Sequence, residues 1–489
     1  MSARVPNIAE MLSLHGQQRP NQIAIVHGQL EIDYKALDVN VRQRAGHLKT
    51  LGVKPGNIVG VALQDSIEHL QLLYAVALSG AVILPLDCRW KSFEKQRVVD
   101  HFKPILVLVE PNELIEGANC VETNASWLKD VQSADIPQTF ADGDRGLLMS
   151  LSSGTTGRPK GPMLTHQQLV YRFYMHWAEL GLGSRERYIN ATPLYFGGGR
   201  SFSMSSLYAG STVVLCPPPY TPAELAEEIR RTQSTVLFLV PTLLRRLLEE
   251  SSETLAPMKA LKTLISSGSA LTEDDRVQIR THICPNFLEY YSSTEGGGVT
   301  TLSATDQLRY GTSVGRPALS VEVQIVDIED QRLPYNTTGK IRYRGPAVAD
   351  GFYADPEASS ESFKDGWFYP GDLGAMNEEG YLFLLGRSKD MIIRGGVNIY
   401  PQEIEATLMA HEAVIEAAVV GWSSKEFNEE IAAFVTLKTS VDEATLISWC
   451  KDQLAPYKIP RSIFVLDEFP RTSLGKVIKA QLSSRLIPL

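Results

Sequence analysis

Between residues 57 and 292, short apolar runs alternate with helix-like segments, and this alternation narrows the possible architecture more than any other feature. Residues 57–63, 81–86 and 104–109 read as strands, with a helix over 66–78 between the first two. Strands at 146–151, 212–216, 235–240, 262–266 and 287–292, with helices at 222–231 and 242–250, continue the pattern. Such repeats build parallel sheets covered by helices on both faces. Upstream, residues 7–50 read as a helix, a short hairpin over 23–34 and a second helix. From about Val314 the texture changes to alternating runs such as 321–326 and 340–344, separated by Gly, Pro and Asn, which spells antiparallel strands and turns. After residue 386 a small unit follows, with helices at 402–409 and 443–454 and strands at 416–420 and 431–437.

Size and charge set further bounds. A chain of 489 residues, 44% of them hydrophobic, is too long for one compact domain. A net charge of −9 argues against a general binder of nucleic acid or anionic membrane, so a phosphate ligand must be met by local positive charge. Cys88, Cys120, Cys216, Cys284 and Cys450 lie far apart without metal-ligand spacing and read as reduced, structural cysteines. The N-terminus has no apolar signal core, and the most apolar window, residues 72–86, is too short to span a bilayer. The expectation is a soluble, cytoplasmic protein, monomeric or homodimeric.

The chemistry concentrates in residues 152–161, Ser-Ser-Gly-Thr-Thr-Gly-Arg-Pro-Lys-Gly, between the strand at 146–151 and a helix that Thr165 can cap. Glycines let backbone N–H groups approach an anion, hydroxyls donate hydrogen bonds and Lys160 supplies charge. The stretch is not a Walker A loop, because Pro159 and Gly161 flank the lysine. Downstream, Tyr291 can stack on a base, Thr294 can bond a phosphate and Glu295 can ligate Mg²⁺ at the end of a strand, where open α/β sheets bind ligands. Asp372 follows a glycine in a turn, with a carboxylate able to accept from both hydroxyls of a ribose. Fifteen residues later, Arg387 offers a planar fork for ribose or phosphate oxygens.

These motifs, in this order over essentially the whole chain, resemble the adenylate-forming enzymes: acyl- and aryl-CoA synthetases, adenylation domains of peptide synthetases, and luciferases. The resemblance implies an α/β fold with a large N-terminal domain of βαβ-layered sheets plus a β-rich subdomain (1–386). A hinge (387–391) would join it to a small mobile α/β C-terminal domain (392–489). It implies that Ser153, Gly154, Thr155, Thr156, Gly157 and Lys160 hold the leaving pyrophosphate, and that Gly268, Ser269 and Ala270 lie against adenine and the acyl group. Lys389 becomes the pivot, and Gly395 and Gly396 the lining of a pantetheine tunnel. Lys476, on the Gly-led run 470–476, bridges substrate carboxylate and α-phosphate. Catalysis would rest on Lys476, Glu295 and Thr294, with Tyr291, Asp372 and Arg387 on the nucleotide and Glu295 on the metal. The implied reaction activates a carboxylic acid as acyl-AMP, with ATP and Mg²⁺, and then transfers the acyl group to coenzyme A. A stand-alone enzyme loading a carrier protein, and a non-catalytic nucleotide-binding protein, are the alternatives. No carrier domain follows Leu489 and no insertion precedes the hinge, which favours coenzyme A.

The chain departs from the family at residues 193–200, Pro-Leu-Tyr-Phe-Gly-Gly-Gly-Arg. Phe196 stands where many fatty-acyl and hydroxycinnamoyl members carry His, which tilts the substrate toward an aromatic or unusual acid. Tyr195, Phe196, Gly197 and Arg200 are the expected pocket, with the three glycines opening it or loosening a loop beside it. Arg200 reads first as a solvated arginine and second as the partner of another acidic group on the substrate. Asn428 occupies a place where relatives often have Gly, which puts the local turn in doubt.

Overall fold

The computed structural model describes residues 5–151, 159–395, 397–424, 427–472 and 476–487, without the side chain of Asn398. Its largest element is a nine-stranded sheet. Six of its strands run parallel in the order Phe287–Ser293, Thr263–Ser266, Val236–Leu239, Arg187–Asn190, Thr212–Leu215 and Ile23–His27. Antiparallel strands close its two edges. A second, six-stranded sheet is parallel from Cys120–Glu122 through Leu106–Val109, Ile58–Ala62 and Val82–Pro85 to Gly146–Met149, and ends in the antiparallel Met163–Thr165.

Strand alternation explains how these sheets stack. In Val236–Leu239, Val236 and Phe238 point into one apolar cluster, and Leu237 and Leu239 into another. The first cluster also receives Val59, Val61 and Leu106 from the second sheet, together with helices Tyr34–Thr50, Ile67–Leu78, His166–Leu180 and Gly197–Ala209. Helices are therefore sandwiched between two sheets, and Ile67–Leu78 is buried from His69 to Leu78. Both outer faces carry amphipathic helices, Pro222–Thr232 on one sheet and Ser92–Phe102 on the other.

The helix starts follow capping chemistry. Asp33 and Ser66 accept from N–H groups of the first turn, and Thr165 forms a capping box with Gln168. A third sheet, antiparallel, contains Glu322–Val326, Gly339–Arg344, Phe363–Lys364, Trp367–Phe368, Asp372–Met376 and Leu382–Arg387. After a single turn, Ser388–Asp390, comes a five-stranded sheet built on the long hairpin of Val414–Ser424 and Asn428–Leu437, packed by helices Pro401–Met409 and Glu443–Gln453 around its own core. Asn428 takes φ +67°, the left-handed region where glycine is easiest and asparagine next best, so asparagine can stand at this position in place of glycine.

One expectation is overturned. The three glycines at 197–199 loosen no loop; they form the first turn of the helix Gly197–Ala209. Packing outweighs their poor helix propensity. A methyl group on Gly198 would lie 2.6 Å from the Phe238 ring, and one on Gly199 would collide with the carbonyl oxygens of Thr192 and Pro193, whereas Gly197 faces open space. Gly199→Ala is expected to destabilise the protein by about 1–3 kcal/mol and lower Tm by several degrees, while Gly197→Ala leaves Tm unchanged or raised. Differential scanning fluorimetry of the pair would decide, and equal losses would refute this account.

Candidate functional site

The site assembles at the tip of an antiparallel hairpin. Strand Phe287–Ser293 turns through Thr294–Gly296 into Gly297–Leu302, so Tyr291 comes from the strand while Thr294 and Glu295 occupy the turn. Ser293 Oγ accepts from Gly296 N–H at 2.8 Å and meets the Tyr343 hydroxyl at 2.6 Å, which pins the turn to the third sheet. Ser267 Oγ meets Ser292 Oγ at 3.1 Å and ties in the loop of Gly268, Ser269 and Ala270. Gly268 has φ +112°, Ser269 and Ala270 are exposed, and Arg245 donates to the Ala270 carbonyl at 3.3 Å.

Asp372 is the meeting point. It opens its strand after Gly371, which has φ +78°, and lies opposite Arg387 on the neighbouring strand. Tyr291 donates its hydroxyl to Asp372 Oδ2 at 2.5 Å, and Arg387 Nε pairs with Asp372 Oδ1 at 2.9 Å. Burial, reinforced by this neighbouring carboxylate, pushes the Tyr291 phenol well above its ordinary range. Burial likewise raises the Glu295 carboxyl, opposed by the charges of Arg172 and Arg387.

Lys476 reaches the same place from the far end of the chain. The residue as a whole is exposed, yet its ammonium lies within the electrostatic reach of Arg387, Asp372 and Glu295. Crowding by protein, with Arg387 adding to it, lowers its pKa, and the two carboxylates pull the other way. The flanking residues are held locally. Thr472 donates to the Lys476 carbonyl at 2.8 Å, Arg471 pairs with Glu416, and Lys479 Nζ lies 2.6 Å from Glu405.

The other expected residues fall less centrally. Lys160 Nζ lies 3.7 Å from Asp355 and above the Phe352 ring. Ser153, Gly154, Thr155, Thr156, Gly157 and Gly396 lie outside the described residues. Gly395 adopts φ +57° and donates to Phe427, and Lys389 sits in the turn Ser388–Asp390. Tyr195 and Phe196 pack edge to face, 4.7 Å between centroids, with the Arg89 guanidinium over both rings. Arg200 is not solvated: at 2% exposure, its Nη1 donates to the carbonyls of Leu194 and Tyr195. The first turn of its helix folds Arg200 inward, which the sequence pattern around three glycines does not reveal.

Two residues escaped the sequence reading. Arg172 is buried and donates to the carbonyls of Thr294, Glu295 and Ala347, and burial lowers its pKa to about 10. Its signal was its spacing from Gln168, one helical turn earlier, which bonds the Val348 carbonyl from the same face. Asp65 accepts from Leu194 N–H at 2.8 Å, and burial raises its carboxyl to about 7.

The family model of AMP-binding enzymes matches residues 12–353, and that of the AMP-binding enzyme C-terminal domain matches residues 403–476. A 2-succinylbenzoate–CoA ligase of Bacillus licheniformis is 30% identical over 481 residues, covering 96% of this chain and 98% of its own. A feruloyl-CoA synthase of an Amycolatopsis species is 29% identical, covering 95% and 96%. ATP-bound MatB from Rhodopseudomonas palustris superposes with a TM-score of 0.90 at 28% identity over 98% of both chains, and the apo form of that protein with 0.82.

Replacing Arg172 by Met strands the carbonyls of Thr294 and Glu295 and releases the turn. The expected loss in kcat/KM is on the order of 10²-fold, the usual consequence of misplaced catalytic groups, with partial recovery in Arg172→Lys. Steady-state kinetics on both variants would check this, and full activity in the Met variant would refute it.

Proposed function

The chain belongs to the family of AMP-binding enzymes, and from that membership we infer how its own residues activate a carboxylic acid with ATP and pass it to coenzyme A. It is an ATP-dependent carboxylic acid–CoA ligase. In the first step, a carboxylate oxygen attacks the α-phosphate of ATP, the bond to the β-phosphate breaks, and pyrophosphate leaves with an acyl-adenylate formed. In the second, the thiol of coenzyme A attacks the acyl carbon and AMP leaves. The observation that carries the assignment of roles is the convergence of Tyr291, Asp372, Arg387, Glu295 and Lys476 from four separate stretches of chain.

Asp372 accepts from the ribose hydroxyls on the lone pairs that Tyr291 and Arg387 leave open. Lys476 places its ammonium against the charge that builds up as carboxylate and α-phosphate approach one another, the electrostatic contribution that usually dominates such catalysis. Residues 153–160 receive the pyrophosphate. Among the described residues, no three His, Cys, Asp or Glu side chains gather into a metal cage. Mg²⁺ keeps waters and shares one or two carboxylates with substrate phosphates, and the half-buried Glu295 carboxylate fits as its protein ligand. Bound there, the ion supplies neutralisation of phosphate charge.

The turn Ser388–Asp390, with Lys389 at its centre, is the hinge between a large domain, 1–386, and a small one, 392–489. Rotation there withdraws Lys476 and brings Gly395 and Gly396 to the cleft for thiol entry. The acid is aromatic. The paired rings of Tyr195 and Phe196 supply a flat apolar wall, and the curated relatives take their names from aryl acids.

The experiment is pyrophosphate release with ATP and Mg²⁺ against benzoates, cinnamates, fatty acids and dicarboxylates, with and without coenzyme A. Thioester should form with an aryl acid, and Lys476→Ala should slow release by about 10²–10³-fold. ATP binding without acid-dependent release across the panel would refute the assignment. A pH profile tests Lys476 separately. Its lowered pKa means that the ammonium, present at neutral pH, is lost as pH rises through a value below the ~10.4 of an ordinary lysine. The alkaline limb of kcat/KM for ATP should therefore fall early and be absent in Lys476→Arg. An unchanged limb would assign it to another group.

A further inference from the structure

Arg200 presents an unsolved charge balance. Other buried arginines in this chain have a carboxylate: Arg276 pairs with Glu289, Arg44 with Glu68, and Arg172 has Glu295 in range. Arg200 has none among the described residues. The ionisable neighbours that register its charge are Arg172, itself cationic, and His69, which burial keeps neutral with a pKa of about 4. Among the described residues only its Nη1 is hydrogen-bonded, and its buried Nε has no partner. A guanidinium withdrawn from water without an anion is costly, and this one is not relieved within the described residues.

Its position adds a second observation. The guanidinium lies back against the carbonyls of Leu194 and Tyr195, immediately before the first turn of the thirteen-residue helix Gly197–Ala209. That turn is uncapped. Phe196 provides no side-chain acceptor, and the N–H groups of Gly197, Gly198 and Gly199 have none among the described residues. Gly197 is exposed and a methyl group there would meet nothing within 4 Å, so the helix end is reachable. Free N–H groups, the positive end of a helix dipole and an unpaired guanidinium together form an anion site.

We propose that the acid carries a second anionic group, a carboxylate being the simplest, and that Gly197–Gly199 and Arg200 bind it. The proposal rests on the reading of Tyr195–Arg200 as the wall of the acyl pocket. It narrows the substrate class from aryl acids to aryl acids with a second negative charge. The competing account makes Arg200 only a clamp for the Pro193–Phe196 segment. A clamp would serve every acid alike, whereas an anion site serves only the doubly charged one.

The test compares matched acids on the intact enzyme by pyrophosphate release: benzoate with the three benzenedicarboxylates, and cinnamate with the three carboxycinnamates. At least one diacid should exceed its monoacid partner by ~10-fold or more in kcat/KM, chiefly through KM, the scale of one charge-assisted hydrogen-bonded contact. Arg200→Met should collapse that ratio and Arg200→Lys restore part of it. Gly197→Pro provides an arm independent of Arg200. Proline suits the first helical position, Phe196 already has the extended ψ of 150° that a following proline requires, and the change deletes one N–H from the site. It too should lower the diacid-to-monoacid ratio. Monoacids turned over as well as every diacid by the wild type would overturn the proposal even if the Met variant failed to fold. Equal losses for both acids in the variants would assign the clamp instead. Release with no acid at all would count against the ligase assignment, a distinguishable failure.

Discussion

The carboxylate of Asp372 joins parts of the fold that share no strand. One oxygen takes the hydroxyl of Tyr291, from the nine-stranded sheet, and the other takes the guanidinium of Arg387, at the end of the third sheet. Arg387 runs directly into the turn that leads to the small five-stranded unit, and Lys476 of that unit feels the same carboxylate. Three separately built layers thus converge on one acidic group. Strand pairing places Asp372 opposite Arg387 to within the rigidity of a sheet, so the pair is ordered by the fold itself.

Two buried arginines of the large domain do opposite things. Arg172 spends its donors on backbone carbonyls and so makes the Thr294–Glu295 turn a fixed feature of the helix beneath it. Arg200 spends only part of its capacity, on the segment before its own helix. The first is satisfied by the fold, and the second is not. Burial weakens the hold of each on its proton, but only at Arg172 does a carboxylate offset the effect.

Much of this was legible in the sequence because it rests on local rules. The strands of both parallel sheets are short apolar runs, and the capping residues Thr165 and Ser66 sit where the sequence marks helix starts. Tyr291, Glu295, Asp372, Arg387 and Lys476 were singled out by the resemblance of their motifs to the adenylate-forming enzymes, and the fold brings them near one another. What was not readable depends on contacts distant in sequence. Three glycines argue against a helix until Phe238 and the Thr192 carbonyl are seen to leave no room for side chains. Arg172, Asp65 and Arg200 look like ordinary surface charges until their partners, over a hundred residues away or one turn behind, are placed beside them. Asn428 reads as a defect in a glycine position until its positive φ is known.

The setting of Lys476 carries a wider consequence. Arg471 and Lys479 beside it pair with Glu416 and Glu405, residues of its own unit, and that unit has an apolar core separate from the rest. On the rotation proposed about Lys389, Lys476 would travel with that body, seated at the cleft in one position and withdrawn in the other. The observed rate of the first step is then a product, the fraction of time the body is seated multiplied by the rate when it is. A substitution on the seating surface, remote from every reacting atom, would lower turnover in proportion to lost occupancy while leaving the intrinsic barrier untouched.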